Sequence, residues 1–345
     1  MQTTTIPARA RRPPGDDALF RRIIVPLDGT STAERVLPYV QYLARSFRSD
    51  VTLLHVLFRP QRPQSGPDSV VYPDILHDRA HSLATAYLSE VGRELIESGL
   101  SPRTVVVSGE TVKVIAAHTP QGGFELTALG INARSAFSRF WRESVVDGLL
   151  PSSRVPLFLV NARLNRAKYS VPPPPRGLLV AVDGSTVSRS SIPYAIGFAR
   201  AARLEVVLLH VLKSAGPRRN GAVMAGRNGA APEVPSDEAA ALRRLELAAH
   251  RFRDAEIAVR VEVRRGPPAD TIVEVQNELG GYVAVIAARF RRGWRRALLG
   301  SVVDRVLHLA ADPLLVIPPS GLSSESASFD GIGAVAGLPS AQGAA

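Results

Sequence analysis

The 345-residue chain predicts an α/β protein of two doubly wound domains. Each is built on a parallel five-stranded, Rossmann-like sheet, and a tandem repeat relates them by a pseudo-twofold. Three observations lead there. First, the chain repeats itself: IIVPLDGTSTAERVLPYVQYLARSFRSDVTLLHVL from Ile23 is matched by LLVAVDGSTVSRSSIPYAIGFARAARLEVVLLHVL from Leu178. Asp28-Gly29 falls on Asp183-Gly184 and His55 on His210; after a two-residue shift, Gly109 falls on Gly266 and Ser144 on Ser301. Second, short β-branched runs alternate with longer amphipathic stretches, the pattern of βαβ units on a parallel sheet. Third, runs such as VVLLHV are apolar throughout, as in strands covered on both faces.

Each segment follows from its residues. Residues 1–20 read as a disordered leader, 21–162 as the first domain, 163–176 as a Pro-rich linker, 177–318 as the second domain and 319–345 as a disordered tail of small residues. In the second copy, LLVAVD (178–183) is a buried strand by its unbroken apolar run. A helix follows over Ser190–Ala202, then the strand EVVLLHVL (205–212) and a Gly- and Pro-rich loop (213–236). The helix Asp237–Phe252 carries Leu242, Leu245 and Leu247 among its apolar positions. The strand IAVRVEVR (257–264), a helix after Pro268, the strand YVAVIAA (282–288), a helix from Ser301 and the strand PLLVIP (313–318) complete the unit. The first copy follows the same plan to PLFLV (156–160). Between the copies, Pro172 to Pro175 can continue neither a helix nor a central strand and favour extended polyproline.

Composition narrows function by exclusion. Without cysteine there is no disulfide, thiolate nucleophile or thiolate metal site. No apolar run approaches the ~18–20 residues of a membrane span. The N-terminal segment lacks the apolar core of a secretory signal, so a cytoplasmic protein is expected. The net charge is +11, from 42 Lys and Arg against 31 Asp and Glu. Such a surplus can attract nucleic acid. Here it is spread along the chain, in part over Arg9, Arg11 and Arg12 of the leader and Arg163, Arg166 and Lys168 near the linker. No aromatic RNA-binding motif or helix-turn-helix pattern accompanies it, so nucleic acid is not an expected partner. HExxH, Walker A and a readable Ser-His-Asp spacing are all missing. No catalytic or metal-ligating residue is assigned, and the protein is read as a non-enzyme, slow ATP hydrolysis aside.

Chemistry in an open α/β sheet belongs at the carboxyl ends of the strands. Asp28 and Asp183 stand there, each followed by Gly and Thr or Ser. Two readings stay open for them: capping the next helix, or facing a nucleotide's ribose or its metal. The loops after the fourth strands contain Gly130 and Ala133, then Glu143-Ser144 in copy one; copy two has Ala287, Arg289 and Phe290, then Gly300-Ser301-Val302. A Gly-Ser that opens a helix offers free N–H groups to an anion. His55 and His210 read as partly buried histidines hydrogen-bonded near the sheet end, and Trp141 and Trp294 as packing their loops.

The duplicated DG(T/S)…LLHV signature, the Gly-Ser before the last helix and the terminal PLLVI strand resemble the universal stress protein family in tandem form, over roughly 20–162 and 177–318. The resemblance implies the fold above, an intramolecular pseudo-dimer with the last strands paired antiparallel, and room for a homodimer. One subgroup of the family binds ATP through Gly-x2-Gly-x9-Gly-Ser/Thr after strand four, with the first-strand Asp near the nucleotide. Both copies depart from that pattern. Copy one keeps Gly130 and Ser144 but has Ala133 and Glu143 at glycine positions, and a glutamate repels phosphate. Copy two keeps Gly300 and Ser301 but has Ala287 and Phe290, with Arg289, Arg291, Arg292, Arg295 and Arg296 in the same loop. The resemblance therefore implies ATP or another adenine nucleotide, with or without magnesium, in copy two. Asp183, Ala287, Arg289, Gly300, Ser301 and Val302 would be its contacts, and Val182 and Val211 would line the base pocket. Copy one, with Asp28, Gly130 and Ser144, would be degenerate. The alternative is a stress scaffold that binds no nucleotide and acts through unidentified protein partners.

Overall fold

The computed structural model describes residues 19–58, 73–132, 145–213, 237–288 and 301–318. The first half runs β1 (Arg22–Pro26), α1 (Ser31–Glu34), α2 (Leu37–Phe47), β2 (Asp50–Leu57), α3 (Pro73–Glu97), β3 (Arg103–Ser108), α4 (Thr111–Gln121), β4 (Leu126–Ile131), α5 (Val145–Ser152) and β5 (Leu157–Asn161). The helix α6 (Ala162–Lys168) follows. The second half repeats the plan with β6 (Gly177–Ala181), α7 (Thr186–Arg189), α8 (Ser191–Ala202), β7 (Glu205–Leu212), α9 (Asp237–Asp254), β8 (Val259–Arg265), α10 (Pro268–Leu279), β9 (Tyr282–Ala287), α11 (Ser301–Leu309) and β10 (Leu314–Ile317).

The strands form one ten-stranded sheet in the order β3-β2-β1-β4-β5-β10-β9-β6-β7-β8. Each half is parallel, with β1 pairing β2 and β4, and β6 pairing β7 and β9. The halves meet antiparallel where Leu314 faces Leu159, Leu315 faces Phe158 and Val316 faces Leu157. Pairing of the two last strands removes two open edges that would otherwise invite association. It also points the carboxyl ends of the two halves to opposite rims of the sheet.

Alternation along each strand sends side chains to two cores. One holds Ile23, Val25, Leu53, Leu178, Val180 and Leu208 beneath α2, α3, α8 and α9. The other holds Ile24, Leu54, Leu179, Leu209, Val303 and Leu307 beneath α4, α5, α10 and α11. Helix α2 places Leu37, Val40, Leu43, Ala44 and Phe47 on one buried stripe at helical spacing. It stops where Arg48 turns left-handed at φ 53° and its N–H returns to the Ala44 carbonyl; Arg203 ends α8 in the same way at φ 54°.

Across the pseudo-twofold, Phe47 and Phe198 meet edge to face at 5.2 Å, and Phe20 packs on both. Leu19 lies against Gly197. Leu19 and Phe20 fall at the end of the segment read as leader, yet Phe20 is fully buried, because its ring packs on Phe47 and Phe198 at the seam between the halves. The rest of the leader, the tail 319–345 and the two strand-four loops with Trp141 and Trp294 lie outside the described residues.

The connecting segment also differs from its sequence reading, because it opens with α6. The Asn161 side chain caps α6 at the Leu164 N–H and donates to the Leu307 carbonyl of the second half. Asn165, fully buried, donates to Tyr39 Oη and to the Ala311 carbonyl, and accepts from Arg35 Nε at 2.9 Å. Lys168 Nζ and Tyr169 Oη both reach buried Asp312, at 2.5 and 2.7 Å. Burial disfavours the Lys168 ammonium, but the hydrogen bonds to Asp312 and Tyr169 and the charge of Asp312 outweigh it and raise its pKa. Helix signals in ARLNRAK were masked by the prolines that follow it.

Candidate functional site

The two strand-end aspartates do the same local work. Asp28 Oδ1 accepts from the Thr30 N–H at 3.0 Å and from Thr30 Oγ1 at 2.6 Å, while Thr30 Oγ1 caps α1 at the Ala33 N–H. Asp183 Oδ1 accepts from the Ser185 N–H at 3.0 Å and from Ser185 Oγ at 2.6 Å, and Ser185 Oγ caps α7 at the Ser188 N–H. Each carboxylate thus orients the hydroxyl that caps the next helix. Both aspartates are exposed.

In the second half, β6 and β9 are neighbours and parallel, so the Asp183 turn and Ala287 stand at the same rim. Ser301 opens α11 exposed, and Val302 is half-buried against the core beside α10 and α11. Val182 and Val211 do not meet in one pocket wall. Val182 points into the core under α8 and α9, and Val211 packs against the opposite one, because alternation sends them to opposite faces. Arg289 and Gly300 lie outside the described residues, as does Ser144 of the first half.

The first half is tighter at its own carboxyl-end rim. A β-carbon on Gly130 would stand 2.3 Å from the Thr32 carbonyl oxygen and 2.6 Å from that of Ala33, so α1 lies directly on β4. Arg35, just after α1, donates to Asn165 Oδ1, to the Ser170 carbonyl at 3.2 Å and to the Tyr169 carbonyl, which ties that corner to α6. Copy two has Ser190 in place of Arg35 and Ala287 in place of Gly130.

The histidines also part company. His210 Nδ1 pairs with the Val182 carbonyl at 2.7 Å, which makes it a donor. His55 Nδ1 is buried with no hydrogen-bond partner among the described residues, and its ring meets Tyr87 edge to face at 6.1 Å. The expected hydrogen-bonded histidine therefore holds for His210 and not for Nδ1 of His55. Among the described residues no group of three or more His, Asp or Glu is arranged for a metal, and no helix is long and apolar enough to cross a membrane.

The fold and the paired strand-end turns agree with comparisons to known proteins. A model described as the universal stress protein family matches residues 19–161 and again 176–318. The chain belongs to the universal stress protein family. A universal stress protein of Mycolicibacterium smegmatis is 22% identical over 299 residues, covering 86% of this chain and 97% of the relative. Universal stress protein YxiE of Bacillus subtilis is 25% identical over 147 residues, 41% of this chain and 99% of its own length, which corresponds to one repeat. The crystal structure of a universal stress protein from Archaeoglobus fulgidus has a TM-score of 0.63 at 20% identity, covering 87% of this chain and 99% of its own; that likeness speaks to the fold.

Within this tandem universal stress protein, the rims carry four residues that motif reading missed. Tyr87 Oη donates to Glu34 Oε1 at 2.9 Å; burial first, then that hydrogen bond and the nearby carboxylates, pushes the Tyr87 hydroxyl well above the usual phenol range. By the repeat register, Glu34 becomes Arg189 and Tyr87 becomes Arg244 in the second half. The signal was present in the repeat itself, but lies on helix faces rather than in the glycine motif.

Proposed function

We propose that the protein binds an adenine nucleotide in its second half as a stress-response ligand sensor in the cytoplasm, and that its first half no longer does. The observation that carries this reading is the parallel pairing of β6 with β9, which brings the Asp183 turn and Ala287 to one rim. The exposed Ser301 and the first N–H groups of α11 suit a phosphate there. Gly300, Arg289 and the adjacent arginines belong to the proposal by sequence. Since Val182 and Val211 lie on opposite faces, the base would be held by the strand-end backbone and the edge of Val211 rather than between two valines. Asp28, Gly130 and Ser144 make the weaker site, because α1 sits on Gly130 and Glu143 opposes phosphate.

Calorimetric titration of the whole chain with Mg-ATP, beside Gly300→Glu, tests it. One saturable site per chain, lost in the variant, supports the reading; no binding by either protein refutes it. A second reading, a scaffold for protein partners, is favoured by Leu76 and Leu83, exposed two turns apart on α3 at 58% and 64%. It would take the lead if no nucleotide binds.

A further inference from the structure

The geometry points to Arg244 and Arg189 as an anion clamp that makes the second half, and not the first, a receptor for a phosphoryl-bearing ligand. The inference rests on the second half being the binding half, but not on the ligand's being a nucleotide. Arg244 reaches from α9 to the turn after β6. Its Nη1 lies 3.0 Å from where a β-carbon on Gly184 would stand, and Gly184 holds φ +80°. The guanidinium therefore rests on the Asp183-Gly184-Ser185 turn, in contact with backbone that a larger residue would cover. Its Nε donates to the Ala240 carbonyl at 3.1 Å, which fixes the side chain over the turn. Arg189 closes α7, one turn from the same loop, and its side chain makes a long contact to Thr186 Oγ1 at 3.5 Å.

Among the described residues neither arginine has a carboxylate within ion-pair distance, whereas Arg253, Arg264, Arg265 and Arg305 each do. Two guanidinium groups without such a partner at one strand-end turn keep N–H donors open to an anion, and a planar fork of N–H donors matches phosphate oxygens. The repeat supplies an internal control. The same two positions in the first half are Glu34 and Tyr87, hydrogen-bonded to each other beside Asp28. With the strand-end aspartates counted, the first turn carries two negative charges and the second a net single positive charge. The helix N-terminus of α11 does not by itself account for an anion, since Asp304 already occupies its first turn. The arginines supply the charge complementarity that the broken glycine pattern no longer provides.

The test exchanges the two halves' residues: Arg189→Glu with Arg244→Tyr in the full chain, titrated with ATP, adenosine and inorganic pyrophosphate. Both arginines are exposed, so the fold is retained, and thermal unfolding of the variant checks this. The expected result is binding of ATP and pyrophosphate that weakens about tenfold or more in the variant, with a flatter dependence on salt and unchanged adenosine affinity. ATP binding of equal strength in both proteins would overturn the clamp while leaving the nucleotide reading intact. Pyrophosphate binding lost in the variant, with no binding of adenosine and no gain for ATP over pyrophosphate, would uphold the clamp and remove the nucleotide. Failure of the unaltered chain to bind any phosphate-bearing probe would overturn both.

Discussion

Gly130 lies beneath the carbonyl of Thr32, closer than any side chain would allow, and this contact sets the first half apart from the second. The glycine resembles a phosphate-loop residue, yet the backbone approaching it is that of α1.

A β-carbon at Gly130 must therefore push α1 off β4. Gly130→Ala is expected to destabilise the protein by about 1–3 kcal/mol, the usual range for overpacking. Ala287→Gly, at the equivalent position, removes one methyl group and adds backbone freedom, for a loss nearer 1 kcal/mol. Denaturant unfolding of both variants measures the contrast; equal losses would contradict it.

The histidine pair predicts a second contrast. His210→Phe leaves the Val182 carbonyl without its donor and should cost about 1–3 kcal/mol. His55→Phe removes a buried nitrogen that has no partner among the described residues, so it should be near neutral or stabilising. Urea midpoints of the two variants decide it.

Asp312 is buried and accepts from Lys168 Nζ, from Tyr169 Oη and, at 3.4 Å, from the Gly281 N–H. Asp312→Ala should cost about 2–3 kcal/mol by leaving these donors unpaired, and it should raise proteolytic cleavage after Lys168. Unchanged cleavage would mean that α6 is held by Asn161 and Asn165 alone.

At alkaline pH the Tyr282 hydroxyl is the group to watch. Burial first, then its hydrogen bond to Glu205 and that residue's charge, pushes its pKa up to about 12. A pKa raised in the folded state above the ordinary value of 10.0 gives stability that is complete below pH 10 and is lost as pH rises through 12. The difference in tyrosinate absorbance between the protein and Tyr282→Phe should show one group titrating near pH 12. A midpoint near 10 would contradict this.

Much of the fold was legible because each element announces itself locally. Unbroken apolar runs gave β7 and β9, and the terminal PLFLV and PLLVI gave the antiparallel seam by resemblance. The helix α6 was not legible, since its stability comes from long-range partners, Tyr39, Ala311 and Asp312, that no local pattern displays. Phe20 was hidden for the same reason: its packing partners, Phe47 and Phe198, are far along the chain. At the site, the repeat revealed the strand-end aspartates and left capping open for them, but not that the hydroxyls of Thr30 and Ser185 make the caps while each aspartate orients them. The more telling difference, Glu34 and Tyr87 against Arg189 and Arg244, required the helices to be placed over the turns.

The central claim, that one half binds and the other does not, is tested most directly by hydrogen exchange with and without saturating ATP. The account predicts slowed exchange across Val182–Arg189 and the first turn of α11, with no change across Leu27–Glu34. Equal protection of both turns, or protection of Leu27–Glu34 alone, would contradict it.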